Sequence, residues 1–330
     1  MAKRIARKGP CHVGIDLMGS DLPPRELLQA IVAYHAKLKK AVQLTLIATP
    51  QVLKGLPRPP SGLFLHTAKE VITMEDDPIR AVRRKKDSTL CAGIHMIHAG
   101  RLQAFVSAGN TGALMCAAKL TLSTVPGIDR PALLTLLPTQ KKEVAVLDVG
   151  ANVACRAKHL VQFAKMGVAY QKSRGIKTPV VGLLNIGTEA QKGTPELKET
   201  YDQLQRLAKG KSFRFQGNIE GRHVFQGEID VLVTDGFTGN VFLKTAEGMA
   251  SFILEQIVSS AKEASAPHLK GLLSELGHRL DYTQYPGALL AGVNGIVIKC
   301  HGTTSIQSVL CSITGAIRLV EHDFLSHLHS

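Results

Sequence analysis

Residues 105–115 read FVSAGNTGALM. The hydrophobic run breaks into Ser107, Gly109, Asn110, Thr111 and Gly112, and an apolar pattern with helical spacing resumes at Ala113. This is a strand turning into a helix. Corners of the same type stand at DVGAN (148–152), NIGTE (185–189), DGFTGN (235–240) and HGTTS (301–305). In an open parallel sheet, ligands bind outside the carboxyl ends of the strands. A helix N-terminus there offers unpaired N–H groups and partial positive charge to an anion. Glycine lets a ligand approach the backbone, while Thr, Ser and Asn add donors and cap the helix. One such corner is an ordinary turn. Five of them, each with a polar residue beside the glycine, point to a shared anion site.

Working outward, short β-rich runs alternate with longer helical patterns. The strands are expected at 12–16, 44–48, 62–66, 104–108, 144–148, 180–185 and 231–235. Helices are expected at 24–40, 89–100, 111–123, 157–173, 194–208 and 239–263. Several strands are apolar throughout rather than alternating, as in strands covered on both faces. The order predicts an α/β fold, three layers α/β/α around a mostly parallel central sheet. Residues 1–10 read as a flexible basic arm and 11–330 as one catalytic domain, with 244–280 a helical segment for dimer or membrane contact.

Composition narrows the class. With 45% hydrophobic residues in 330, the chain can bury a large core, and no apolar run is long enough to span a membrane. The basic N-terminus lacks the apolar stretch of a secretory signal. Six scattered cysteines show no metal-ligand spacing and read as reduced thiols of a cytosolic enzyme; Cys155 and Cys300, near glycine corners, have nothing local to make them nucleophiles. The net charge of +14 draws in anions without selecting phosphate, acidic protein, nucleic acid or membrane. Aromatic content of 5%, with no Trp, argues against a single-strand stacking platform.

TMEDDPIRAVRRKKDS (73–88) places three acids and a proline before five basic residues. A helix started by Pro78 carries Arg80, Arg83 and Arg84 on one face. Arg grips phosphate bidentately and Lys acts as a point charge, although a solvated charged face is an equal reading.

Nine blocks now line up in order: VGIDLMGSD (13–21), VITMEDDPIRAVRRKKDST (71–89), AFVSAGNTGALM (104–115), GIDRPAL (127–133), LDVGANV (147–153), GLLNIGTE (182–189), GNIEGR (217–222), DGFTGNVFLKTAEG (235–248) and HGTTS (301–305). From about residue 12 to 320 the chain resembles the bacterial acyl-ACP:phosphate acyltransferases of phospholipid synthesis, the PlsX family. The resemblance implies a fold related to phosphotransacetylase and the isopropylmalate-dehydrogenase group. It also implies a homodimer that moves a long acyl chain from acyl carrier protein to inorganic phosphate. The product passes to a membrane glycerol-phosphate acyltransferase, so a cytoplasmic enzyme in peripheral membrane contact is expected, with no cofactor, metal or nucleic acid. The sequence departs from the family pattern at Ser20, Ala154, YPGALLAG (285–292) and HGTTS. Ala154 stands where an acid is frequent, which weakens any role for an acid there.

The chemistry is undemanding. Phosphate is largely a dianion near neutral pH, with a second pKa of roughly 6 to 7, and a cysteine-like leaving thiol has a pKa of roughly 8.5. Positioned oxyanion donors contribute roughly 2.7–4 kcal/mol each and orientation roughly 7–11 kcal/mol. On this reading Ser107, Gly109, Asn110, Thr111, Gly112, Asn185, Gly187 and Thr188, with a cation from Arg83, Arg84 or Lys86, grip phosphate. Asp16, Gly19, Asn152, Asp235, Gly236, Thr238, Gly239, Asn240, Lys244 and His301 surround the thioester. His301, beside Lys299, is the candidate to protonate the leaving sulfur; Lys299, Lys244 and Asp235 complete the catalytic set. A dehydrogenase of the same fold group would need nucleotide recognition, and no G-x-G-x-x-G follows these strands. A phosphotransacetylase acting on short CoA esters shares the chemistry, and a non-catalytic anion- or nucleic-acid-binding protein is the alternative outside enzymology.

Overall fold

A computed structural model describes residues 10–39, 41–263, 285–300 and 305–329. They form two compact units, one from Met1–Leu122 and Gly295–Glu321, the other from Ser123–Asn294 and His322–Ser330.

The first unit contains β1 (Cys11–Asp16), β2 (Val42–Ala48), β3 (Leu63–Thr67), β4 (Ala104–Ser107) and, from the far end of the chain, β11 (Ile296–Lys299). They run in the order β3-β2-β1-β4-β11, and every pairing is parallel. Its helices are α1 (Pro24–His35), α2 (Pro50–Leu53), α3 (Pro78–Arg84), α4 (Thr89–His98), α5 (Thr111–Leu122) and α10 (Ile306–Glu321). β4 is buried along its whole length. Gly93 of α4 leaves room for the Phe105 ring of β4, so helix and strand pack closely. Proline opens α1 and α3, where its missing N–H costs nothing.

The second unit contains β5 (Ala132–Pro138), β6 (Glu143–Leu147), β7 (Val180–Leu184), β8 (Arg214–Ile219), β9 (Val231–Val233) and β10 (Ala288–Ala291). The order is β10-β5-β6-β9-β7-β8; β5 is antiparallel to both its neighbours and the rest are parallel. Its helices are α6 (Ala157–Ser173), α7 (Pro195–Ala208), α8 (Gly221–Val224), α9 (Gly236–Glu263) and α11 (Phe324–His329). The apolar runs of β6, β7 and β9 are buried in this core.

The fold is the expected α/β class with a mostly parallel sheet. The seven expected strands are all present to within two residues at each end. The expected helices are present too, the first ending at His35 rather than 40. Strands β5, β8, β10 and β11 and helices α2, α8, α10 and α11 lie outside that reading. No described helix is long and apolar enough to cross a membrane.

Candidate functional site

In the first unit, β1, β4 and β11 are neighbours and run the same way, so their carboxyl ends share one edge. Asp16, Ser107 and Lys299 end these strands. Asp16 is buried and accepts hydrogen bonds from the Ser107 hydroxyl at 2.8 Å and the Met18 N–H at 3.0 Å. Ser107 Oγ in turn accepts from the Gly109 N–H at 3.0 Å. Burial pushes the Asp16 carboxyl up, opposed by hydrogen bonds from Ser107, Thr89, Met18 and Gly19. Gly19 and Gly109 bring their backbones together: a Cβ on Gly19 would lie 2.5 Å from the Gly109 nitrogen and 2.8 Å from Asp16 Oδ2. The buried Lys299 ammonium donates to the carbonyls of Ala108 at 3.0 Å and Cys300 at 2.6 Å, which puts a cation at this corner.

α5 opens directly from the corner. Asn110 Oδ1 accepts from the Ala113 N–H at 3.1 Å, capping the helix and leaving the Thr111 and Gly112 N–H groups without intrahelical acceptors. Asn110 Nδ2 reaches the carbonyls of Thr73, Met74 and Asp76 at 3.2–3.3 Å. A Cβ at Gly112 would lie 2.7 Å from the Pro78 ring. Asn110 and Gly112 thus fasten the basic segment to α5. Beyond that attachment Arg83, Arg84 and Lys86 are exposed, and none forms an ion pair among the described residues.

In the second unit, β6, β9 and β7 are parallel neighbours, and their carboxyl ends lead to Asp148, Asp235 and Asn185. Asp148, fully buried, was not among the expected site residues. Its Oδ1 accepts from the N–H groups of Leu133 at 3.0 Å, Gly150 at 3.2 Å and Ala151 at 3.0 Å. Its Oδ2 accepts from Asn152 twice, at 2.7 Å from the backbone and 2.9 Å from the side chain. An acid at a strand end followed by Val-Gly-Ala-Asn is an Asx-turn signal that could have found it. Burial pushes this carboxyl up too, against those donors. Asn152 Nδ2 also donates to the Pro131 carbonyl at 2.8 Å.

Gly236 donates its N–H to the Asn152 carbonyl at 2.8 Å, and Gly239 lies where any Cβ would collide with the Asp148 carbonyl. Asp235 accepts from the Thr238 N–H at 2.9 Å and hydroxyl at 2.8 Å, capping α9. Asn240 is exposed beside Gly150. Lys244 pairs with Glu247 at 2.7 Å further along the helix. Asn185 accepts from the Ile186 N–H at 2.8 Å and donates to the Lys192 carbonyl at 3.0 Å, clamping a loop. In that loop Gly187 is buried and Thr188 exposed.

Two corners, SAGNTG and DGFTGN, therefore open straight into helices. DVGAN and NIGTE, expected to do the same, lead into loops, and α7 starts only after Thr194, its cap at 3.4 Å from the Leu197 N–H. His301 and residues 302–304 of HGTTS lie outside the described residues, as do residues 1–9 of the basic arm and 264–280 of the helical segment. Burial pushes the Cys155 and Cys300 thiols up to about 11, so neither is a thiolate near neutral pH. Among the described residues no His, Cys, Asp and Glu cluster is arranged to hold a metal.

A family model described as "Fatty acid synthesis protein" matches residues 11–327. The chain is 39% identical over 323 residues to a phosphate acyltransferase of Thermoanaerobacter pseudethanolicus, covering 96% of each chain. It is 40% identical over 324 residues to one from an Exiguobacterium species, covering 96% of this chain and 97% of that one. A phosphotransacetylase from Staphylococcus aureus superposes with a TM-score of 0.62 over 95% of each chain at 16% identity, a likeness of fold.

Proposed function

Because the chain belongs to the phosphate acyltransferase family, we propose that it moves a long-chain fatty acyl group from acyl carrier protein to inorganic phosphate. Phosphate attacks the thioester carbonyl directly, the carbon–sulfur bond breaks, and the products are acyl-phosphate for phospholipid synthesis and the carrier thiol. The observation that carries this reading is the Gly109–Ser107–Asp16 hydrogen-bond chain at the mouth of α5, with Lys299 beside it. Such a corner suits a small dianion. Two helix-opening N–H groups and a buried ammonium favour negative charge, and paired glycines keep the backbone accessible.

Direct ligand roles for Asn110, Asn152, Asp235 and Asn185 receive less support, because their side chains already hold their own turns. They act as positioning residues. Protonation of the departing sulfur is assigned to His301 on the sequence pattern alone, and His301→Ala retaining full turnover would remove it. The exposed apolar side chains of α9 support contact with a second copy and with a bilayer, where an insoluble product must go.

The test is phosphate-dependent thiol release, compared between palmitoyl carrier protein and acetyl-CoA. Preference for the carrier thioester supports the reading; preference for acetyl-CoA would make the chain a phosphotransacetylase in activity.

A further inference from the structure

Helix α3 is held firmly, and none of its arginine side chains does the holding. Asp77 caps it by accepting from the Arg80 N–H at 2.8 Å. Lys85, at its end, donates to the Val71 carbonyl at 2.9 Å and pairs with Asp76 at 2.5 Å. Asn110 and Gly112 fasten its entry and first residue to α5. Arg80, Arg83, Arg84 and Lys86 are left exposed, without an ion pair among the described residues. Ile79 is 55% exposed and Met74 48% exposed beside them. At helical spacing Ile79 and Arg83 share one face, and Arg80 and Arg84 the adjoining one. The result is a surface on which these four cations outnumber the exposed acids Glu75, Asp77 and Asp87 and stand beside apolar side chains, mounted on the corner assigned to phosphate.

Four neighbouring cations repel one another, and an acidic macromolecule relieves that repulsion more fully than one small anion does. Arg forks match carboxylates bidentately, and apolar side chains among the charges give a contact that water does not compete for. We propose that this face of α3 docks the acidic carrier protein that delivers the acyl thioester, an inference that rests on the donor proposed above. Docking there seats the carrier beside the α5 corner, because the same Asn110 side chain caps α5 and holds the α3 approach. Complementary charge of this kind sets encounter rate and register, and salt weakens it.

Two variants outside the phosphate corner test the surface: Arg80→Glu and Ile79→Ser. Both positions are exposed, so the fold is expected to persist, and a thermal melt checks this. The KM for palmitoyl carrier protein should rise about tenfold in Arg80→Glu and less in Ile79→Ser. The kcat/KM on palmitoyl-CoA, which lacks the carrier, should stay within about twofold of the parent. Added salt should raise the parent's KM for the carrier and narrow its gap to Arg80→Glu. An unchanged carrier KM in both variants overturns the proposal, as does an equal loss on both donors. Loss of binding to anionic phosphatidylglycerol vesicles with an unchanged carrier KM overturns it in favour of a membrane surface. If the parent turns over palmitoyl-CoA but not the carrier thioester, the donor assignment itself fails, and docking fails with it.

Discussion

Asp148 shows how much one residue can organise. Its two oxygens gather the N–H groups of Leu133, Gly150, Ala151 and Asn152 and the Asn152 amide. Asp148→Ala leaves these donors buried without their acceptor, so a loss of about 3 kcal/mol or more is expected in urea unfolding. Gly239→Ala should also unfold readily, since its Cβ would collide with the Asp148 carbonyl, a backbone atom that cannot swing aside. Asp16 carries a raised pKa as Asp148 does. Burial raises its folded pKa, so the protonated form favours the fold at low pH and that stability is lost as pH rises through the folded value. Asp16→Asn does not titrate, but its NH2 group faces donors that the carboxylate accepts from, so a constant stability cost accompanies it at every pH. Relative to the parent, its melting temperature should therefore rise as pH climbs from about 4; a difference that is the same at every pH would contradict this. The corners themselves were legible from their glycines and polar neighbours. The role of each side chain was not, because Asn110 and Asp235 look alike in sequence whether they bind a ligand or cap a helix.

At the scale of elements, α9 combines two tasks. Its first turn closes on the DVGAN corner through Gly236 and Gly239, while Met249, Phe252, Ile253 and Val258 further along remain exposed. Phe252→Glu should abolish co-flotation with liposomes if the outer face meets a bilayer, and co-flotation unaltered in a folded variant would exclude that residue from the contact. Strand–helix alternation made most of the fold readable, because apolar runs and helical spacing are local properties. The elements that were missed depend on distant partners. β5, ALLTLLP, pairs antiparallel with β6, which follows it directly, and with β10 from far along the chain, in a unit whose other strand pairings are parallel. β11 belongs beside β4, about two hundred residues earlier in the chain, a pairing that no local pattern announces.

For the whole molecule, family membership establishes acyl transfer to phosphate, and the +14 charge suits an enzyme whose proposed nucleophile and donor are both anionic. Each unit gathers its glycine corners at the carboxyl ends of neighbouring parallel strands, the placement that makes an α/β sheet a binding edge. Phosphate at the mouth of α5 is the central claim, and Gly109→Ala addresses it most directly. The added Cβ would lie 3.2 Å from Ser107 Oγ and 3.5 Å from the Gly19 Cα, close enough to obstruct the corner yet tolerable to the fold. The decisive measurement is phosphate saturation with acyl-phosphate trapped by hydroxylamine. The expected result is a phosphate KM raised about tenfold, about 1.4 kcal/mol of binding lost to the obstructing methyl group, with little change in melting temperature. A phosphate KM equal to the parent's in a folded Gly109→Ala protein would contradict it.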